Sequence, residues 1–306
     1  MWDTGRLKLM VAGLSLRNPT ILASGILGIS AESLKEVAQA GAGAVTTKSI
    51  GLKPREAYAN PTVIQVECGL LNAVGLPNPG IEKFAEEIKE LHGLKVPLIV
   101  SIYGYTAEEF VEVALKAEKA GAHALELNLS CPHVERVGAE MGQNPEIINE
   151  VVKQVKEHVK IPVFAKLTPN TADITELAEA AVAAGADAVT AVNTLRAMAV
   201  DVETAHPILS NKIGGLSGAA IKPVAVRCVY EIFEAVDVPV IGCGGVRTWK
   251  DAVEFMLAGA SAVQIGSAIA FEDLNVFKSV AAGIDAYLER KGYRSVSEIV
   301  GLAHRD

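Results

Sequence analysis

The chain has 306 residues, half of them hydrophobic, with 28 basic against 36 acidic side chains and a net charge of −8. That balance argues against a nucleic-acid footprint, which needs a basic stripe, and no apolar run reaches the roughly 18 residues of a membrane span. The four cysteines form no C-x-x-C pair and the six histidines no H-E-x-x-H, so the chain offers neither zinc nor iron–sulfur ligand spacing, and a reduced, cytoplasmic compartment fits.

In chain order, the run 9–16 follows Arg6 and Lys8, is broken by Gly13 and Ser15, and stops at Arg17-Asn18. It reads as a β-hairpin turning at Ala12-Gly13 rather than as a signal-peptide core. Pro19-Thr20-Ile21-Leu22 is the first strand of the main fold. A six-residue pattern, Ala-Gly-Ala-x-Ala-(Val/Leu), then occurs four times, at 40–45, 120–125, 184–189 and 258–263, each time after a helical stretch and before an apolar run. Glycine there ends a helix in the left-handed region without a Cβ clash. Val96-Pro97-Leu98, Ile161-Pro162-Val163 and Val238-Pro239-Val240 mark three more strand starts, where a missing N–H costs little.

Helical stretches at 31–40, 81–91, 107–120, 145–160, 173–184, 218–235, 248–257 and 274–291 alternate with these eight strands. Ser30, Thr106 and Thr248 stand as start signals. The alternation predicts an α/β fold, a single (β/α)8 TIM barrel over 1–306 with an N-terminal β-hairpin. Long βα connections at 49–80, 132–144 and 195–217 all leave from the C-terminal face, where such barrels keep their chemistry.

Alternation along the strands says which residues point inward. Leu125, Leu127 and Leu129 share one side of the fourth strand, which leaves Glu126 and Asn128 facing the barrel interior, and Lys166 faces inward beside Phe164. Inward charges are costly unless paired or bound to something. The plain alternatives are an internal Glu126–Lys166 ion pair, a snorkelling Lys48 and satisfied core amides at Asn128 and Asn193. Convergence of several polar residues on one mouth favours a site. After strands seven and eight, Gly244-Gly245 and Gly266-Ser267 allow backbone N–H groups to approach a phosphate. Gly214-Gly215-Leu216-Ser217-Gly218, read as the start of the sixth helix, is a second candidate cradle. Cys131, just past a strand end and before Pro132, is placed as nucleophile or general base; Cys228 and Cys243 read as structural.

Asn128-Leu129-Ser130-Cys131-Pro132, Asn72-Ala73-Val74-Gly75-Leu76-Pro77-Asn78, Thr47-Lys48-Ser49, Val192-Asn193-Thr194 and the glycine pairs resemble the dihydroorotate dehydrogenases over essentially the whole barrel. The resemblance implies one FMN per chain, its phosphate on Gly244, Gly245, Gly266, Ser267 and Gly218. It also implies Ser24, Lys48, Ser49, Asn128 and Val192 as cofactor contacts and Lys166 at the pyrimidine edge of the ring. Substrate would rest on Lys48, Asn72, Ala73, Val74, Gly75, Leu76, Asn128, Asn193 and Thr194. Cys131 would be the general base in oxidation of dihydroorotate to orotate, a step of pyrimidine (UMP) biosynthesis.

A cysteine base and a short N-terminus resemble the soluble class rather than the membrane-associated, quinone-linked one, which has serine there. Within that class the chain is most similar to the NAD-linked catalytic subunit, which implies a homodimer, or a heterotetramer with a separate FAD and iron–sulfur electron-transfer subunit. Two departures stand out: His133 and Ser101 occupy positions where relatives often carry asparagine. The competing readings are a flavin barrel acting on another dihydropyrimidine, and a flavin-free phosphate-sugar isomerase or lyase.

Overall fold

In the computed structural model, which describes residues 5–129 and 141–305, the chain opens with the expected hairpin. β1 (Leu9–Val11) pairs antiparallel with β2 (Leu14–Leu16), and Ala12 (φ 46°) and Gly13 (φ 83°) adopt the two left-handed conformations of a tight two-residue turn. β3 (Thr20–Leu22), α1 (Ala31–Gln39) and β4 (Val45–Thr46) lead to an inserted hairpin, β5 (Val63–Val66) and β6 (Gly69–Asn72), before α2 (Ile81–Glu90). β7 (Leu98–Ile102), α3 (Ala107–Ala120), β8 (Ala124–Asn128), α4 (Pro145–His158), β9 (Val163–Leu167), α5 (Thr175–Ala183) and β10 (Ala188–Ala191) follow in alternation. A second insertion carries β11 (Leu195–Met198), β12 (Val200–Asp201), β13 (His206–Pro207) and β14 (Ile213–Ser217). α6 (Lys222–Ala235), β15 (Val240–Cys243), α7 (Trp249–Leu257), β16 (Ala260–Ile265), a short α8 (Ile269–Glu272) and α9 (Asn275–Lys291) come last.

The parallel sheet runs in the order β3-β16-β15-β10-β9-β8-β7-β4. The Leu22 N–H donates to the Ala44 carbonyl at 3.0 Å and closes it into the eight-stranded barrel that the sequence predicts. The repeated motif explains the closure. Gly41, Gly121, Gly185 and Gly259 all have φ between 96° and 118° and end the preceding helix. The last alanine of each copy (Ala44, Ala124, Ala188, Ala262) then faces the barrel interior, buried in one cluster with Ile21, Ile99, Phe164 and Ile241 from the intervening strands. Small and large side chains thus alternate around the tier and fill the cylinder. Val11, Leu14 and Leu16 of the hairpin join this cluster and plug the N-terminal end. The strand-opening prolines donate nothing but accept: Pro97, Pro162, Pro239 and Pro19 carbonyls take the N–H of Val45, Leu125, Val189 and Val263 at 2.9–3.1 Å.

Helix starts follow the caps. Ser30 accepts from the Ser33 N–H, Thr106 from Glu109, and Thr248 with Asp251 forms a full capping box. One expected helix start is corrected: Gly214–Ser217 belongs to β14, and α6 begins only at Lys222 after a single 3-10 turn, Ala219–Ile221.

The two insertions pair with each other. β11-β14-β6-β5 form an antiparallel sheet over the C-terminal mouth, with its own small core of Leu71, Ala73 and Leu209. Gly69 permits the contact, because a Cβ there would overlap the Ser217 carbonyl oxygen. Among the described residues no helix is long and apolar enough to cross a membrane.

Candidate active site

Above the apolar tier the barrel interior turns polar. Glu126, Thr190 and Ser101 are fully buried and Gln264 and Lys166 nearly so. Lys166 Nζ donates to Gln264 Oε1 at 2.8 Å and to Glu126 Oε1 at 3.3 Å. Thr190 Oγ1 donates to Glu126 Oε2 at 3.2 Å, and Gln264 Nε2 donates to the same oxygen. The inward facing expected from strand parity holds, and the Glu126–Lys166 ion pair weighed as the plain alternative is present. Burial, the largest single influence, pulls the Lys166 ammonium toward lower pKa, but the charge of Glu126, the electrostatic influence of Cys243 and the hydrogen bond to Glu126 together hold it above its ordinary value.

Lys166 is also the floor of a cavity of about 510 Å³ between the barrel mouth and the overlying sheet, within the size range of cofactor pockets. Every site residue expected from the sequence that falls within the described residues lines it. Lys48, Arg55, Lys166 and Arg196 line it as well, and no aspartate or glutamate does among the described residues. In a chain of net charge −8 this is a localised cationic chamber.

One wall is built of glycine. Gly218, Gly244 and Gly245 have φ of 100°, 132° and 83°. A Cβ on Gly244 would stand 2.7 Å from Ala225 Cβ, and one on Gly245 would stand 2.8 Å from both the Gly218 carbonyl oxygen and Lys222 Cβ. The backbone after β15 therefore comes against the Gly218 carbonyl just past β14, an approach that leaves no room for a Cβ on Gly245. Among the described residues the N–H groups of Gly245, Gly266 and Ser267 have no protein acceptor. This is the cradle a phosphate requires. The second predicted cradle is not of this kind: Gly214 and Gly215 are paired within the mouth sheet, against β11 and against Asn72 of β6.

The opposite wall is a chain of amides and hydroxyls. Asn193 Nδ2 donates to Asn128 Oδ1 at 3.3 Å, and Asn128 Nδ2 donates to Ser49 Oγ at 3.0 Å. Ser49 lies 2.9 Å from Ser101 Oγ and 3.3 Å from Ser24 Oγ. Ser101 does not reach the cavity; it holds Ser49 from behind. Val192 is fixed by its N–H on the Cys243 carbonyl at 2.7 Å, and Thr194 by its N–H on Asn193 Oδ1 at 2.8 Å. The segment after β6 is clamped: Tyr58 N–H donates to the Val74 carbonyl at 3.2 Å, Asn78 Nδ2 donates to the Leu76 carbonyl at 3.0 Å, and Asn72 Nδ2 donates to the Gly215 carbonyl at 3.1 Å.

Lys48 differs from Lys166. It is half-buried, burial lowers its pKa, and its backbone is held by the Gly28 carbonyl and Thr47 Oγ1, while its ammonium has no ion pair or hydrogen bond among the described residues. Its charge is left for something that enters the cavity. Cys131 and His133 lie outside the described residues. The flanks of that stretch, Asn128 on one side and Gly142 on the other, both line the cavity. Cys243 lines it too, its thiol pushed up by burial.

Sequence reasoning missed Arg55, Arg196 and Gln264. Gln264 was findable, because it shares inward parity with Ala262. Arg55 was not: besides nearby Tyr58, it is positioned by paired backbone hydrogen bonds with Asn78 (2.9 and 3.1 Å) and by Tyr105, both far from it in sequence.

Residues 6–288 match the family model described as dihydroorotate dehydrogenase. The chain is 53% identical over 299 residues to a Pyrococcus furiosus protein named dihydroorotate dehydrogenase B (NAD(+)), catalytic subunit, covering 98% of this chain and 99% of that one. A Methanosarcina acetivorans protein of the same name is 52% identical over 296 residues, covering 96% and 95%. The crystal structure of an Eimeria tenella dihydroorotate dehydrogenase in complex with ferulenol superposes with a TM-score of 0.88 at 22% identity, covering 100% of this chain and 90% of that one, a likeness of fold.

Proposed function

The chain belongs to the dihydroorotate dehydrogenase family, and from that premise we propose that it oxidises dihydroorotate to orotate with one FMN per chain, Cys131 serving as general base. The observation that supports this best is the cationic, carboxylate-free chamber with a glycine cradle on one wall and amides on the other. The donor set fits a flavin mononucleotide. Gly218, Gly244, Gly245, Gly266 and Ser267 would take the phosphate, Ser24, Ser49 and Val192 would lie along the ring, and Lys166 would face its pyrimidine edge. When bound, the flavin supplies the hydride acceptor that the reaction requires.

The chain's own residues do the rest. Lys48 offers a cation to the substrate carboxylate. Asn72, Asn128, Asn193 and Thr194, with the backbone of Ala73, Val74, Gly75 and Leu76, orient the planar amide groups of the ring. Cys131 Sγ takes a proton from the ring carbon adjacent to the one that gives up its hydride, a weakly acidic C–H that needs a positioned base. Lys166 places positive charge where negative charge develops.

The flavin-free phosphate-sugar reading falls away with family membership. Electrons go on to NAD through a partner subunit, a reading supported by the names of the relatives; the assembly is a homodimer, or a heterotetramer with an FAD and iron–sulfur subunit, in the cytoplasm. Co-purification from the native source, followed by dihydroorotate oxidation assays with NAD and with fumarate, tests this. Turnover with fumarate and none with NAD would contradict the NAD-linked assignment.

A further inference from the structure

We propose that Glu126, which does not line the cavity, is a positioning residue that holds Lys166 as a fixed cation toward the cofactor; this rests on the flavin reading above. Four strands converge on one fully buried carboxylate. Glu126 comes from β8, and its three donors Lys166, Thr190 and Gln264 come from β9, β10 and β16. Gln264 closes the ring by accepting from Lys166 at 2.8 Å while donating to Glu126. An ammonium has three N–H groups. Two are fixed by Glu126 and Gln264 behind it, which leaves one for a ligand in the cavity.

A merely structural ion pair is a poor account of this arrangement. Apolar side chains of similar volume fill a barrel interior as stably as a buried pair, and the tier below does so here. The groups that face Lys166 are Glu126 from β8, Thr190 from β10, Cys243 from β15 and Gln264 from β16. Of these only Glu126 supplies a negative charge near neutral pH, since burial keeps the Cys243 thiol protonated. Without that carboxylate, burial is the largest influence left on Lys166, and it favours the neutral amine. Lys166 would then give up its charge at lower pH than in the wild type, and the cavity floor would lose that cation.

The test uses the holoprotein and Glu126→Gln, measuring FMN affinity and flavin midpoint potential between about pH 6.5 and about pH 9. Wild type should show a nearly flat FMN affinity over that range. Glu126→Gln should lose about tenfold or more in affinity toward the alkaline end, the equivalent of a one-unit ionisation, and its midpoint potential should fall more steeply with pH than that of wild type. Glu126→Asp should restore most of the flat profile. On a Lys166→Met background, Glu126→Gln should add no pH dependence, because the effect runs through Lys166. A flat profile in Glu126→Gln, or the same pH dependence with Lys166 already removed, overturns the proposal.

Should Glu126→Gln fail to fold, Gln264→Leu keeps the ion pair but removes one acceptor. It should weaken FMN by about two- to tenfold with a flat profile, and unchanged affinity overturns the proposal. A wild-type protein that binds no flavin sinks the cofactor reading itself, whereas a flavin-bound wild type beside a flat Glu126→Gln sinks only the role of Glu126.

Discussion

Replacing Lys48 with methionine should uncouple binding from stability. In the ligand-free protein the ammonium is half-buried, its pKa is lowered by burial, and no acceptor among the described residues meets it. Methionine keeps the apolar stem and its contacts and removes the desolvated charge. Urea unfolding of the ligand-free variant should therefore fall within about 1 kcal/mol of wild type, or above it. Binding should behave oppositely. A hydrogen bond to a charged partner is worth about 1.5–3 kcal/mol, so the Kd for orotate, followed by calorimetry or by the flavin spectrum, should rise about 10- to 150-fold.

The pH dependence carries a sign. An anion favours the charged lysine, so wild-type affinity should be full below the depressed pKa of Lys48. It should be lost as pH rises through that value, which lies below 10.5. The methionine variant should lack this alkaline loss. Orotate affinity equal to wild type in Lys48→Met, or a loss of several kcal/mol of stability with unchanged affinity, would refute the reasoning.

Gly245→Ala should abolish flavin retention, since a Cβ there meets the Gly218 carbonyl oxygen and Lys222 Cβ at 2.8 Å with φ at 83°, a conformation costing an alanine about 1–2 kcal/mol before any clash. Gly266→Ala meets only Ala23 Cβ at 3.3 Å and should keep its flavin; the absorbance-to-protein ratio after desalting decides, and the reverse order would contradict the cradle. Cys131→Ala should retain FMN but lose about 10²- to 10⁴-fold in turnover near neutral pH, and unchanged turnover would remove the base assignment. Asp251→Asn should open the α7 capping box at a cost of about 1 kcal/mol in thermal unfolding at neutral pH. Burial pushes the Asp251 carboxyl up, but Lys222 and Thr248 hold it below 3.8. The stabilising contribution is thus present above 3.8 and fades as pH falls through the depressed value; a difference between variant and wild type undiminished in acid would be wrong for this cause.

Much of the barrel was legible because its signals are local. A glycine that must end a helix and a proline that tolerates a strand start lie within six residues of the strand they announce, and all eight strands stand where those signals put them. Strand parity likewise found Glu126, Asn128 and Lys166, since inward and outward residues alternate whatever surrounds them. The mouth sheet was not legible. β6 pairs locally with β5 and β14 with β11, but the register that joins the two insertions, Leu71 opposite Leu216, links segments about 145 residues apart and leaves no local mark. Gly214-Gly215 was misread for the same reason: a glycine pair serves a helix start or a close strand contact equally, and only the distant partner decides. Arg55 depended on long-range contacts too.

The most direct test of the whole account is anaerobic mixing of the purified protein with dihydroorotate while the visible spectrum is recorded. The account predicts stoichiometric bleaching of a bound flavin whose mass on release is that of FMN. A protein without flavin, or one whose flavin stays oxidised in excess dihydroorotate, would contradict it.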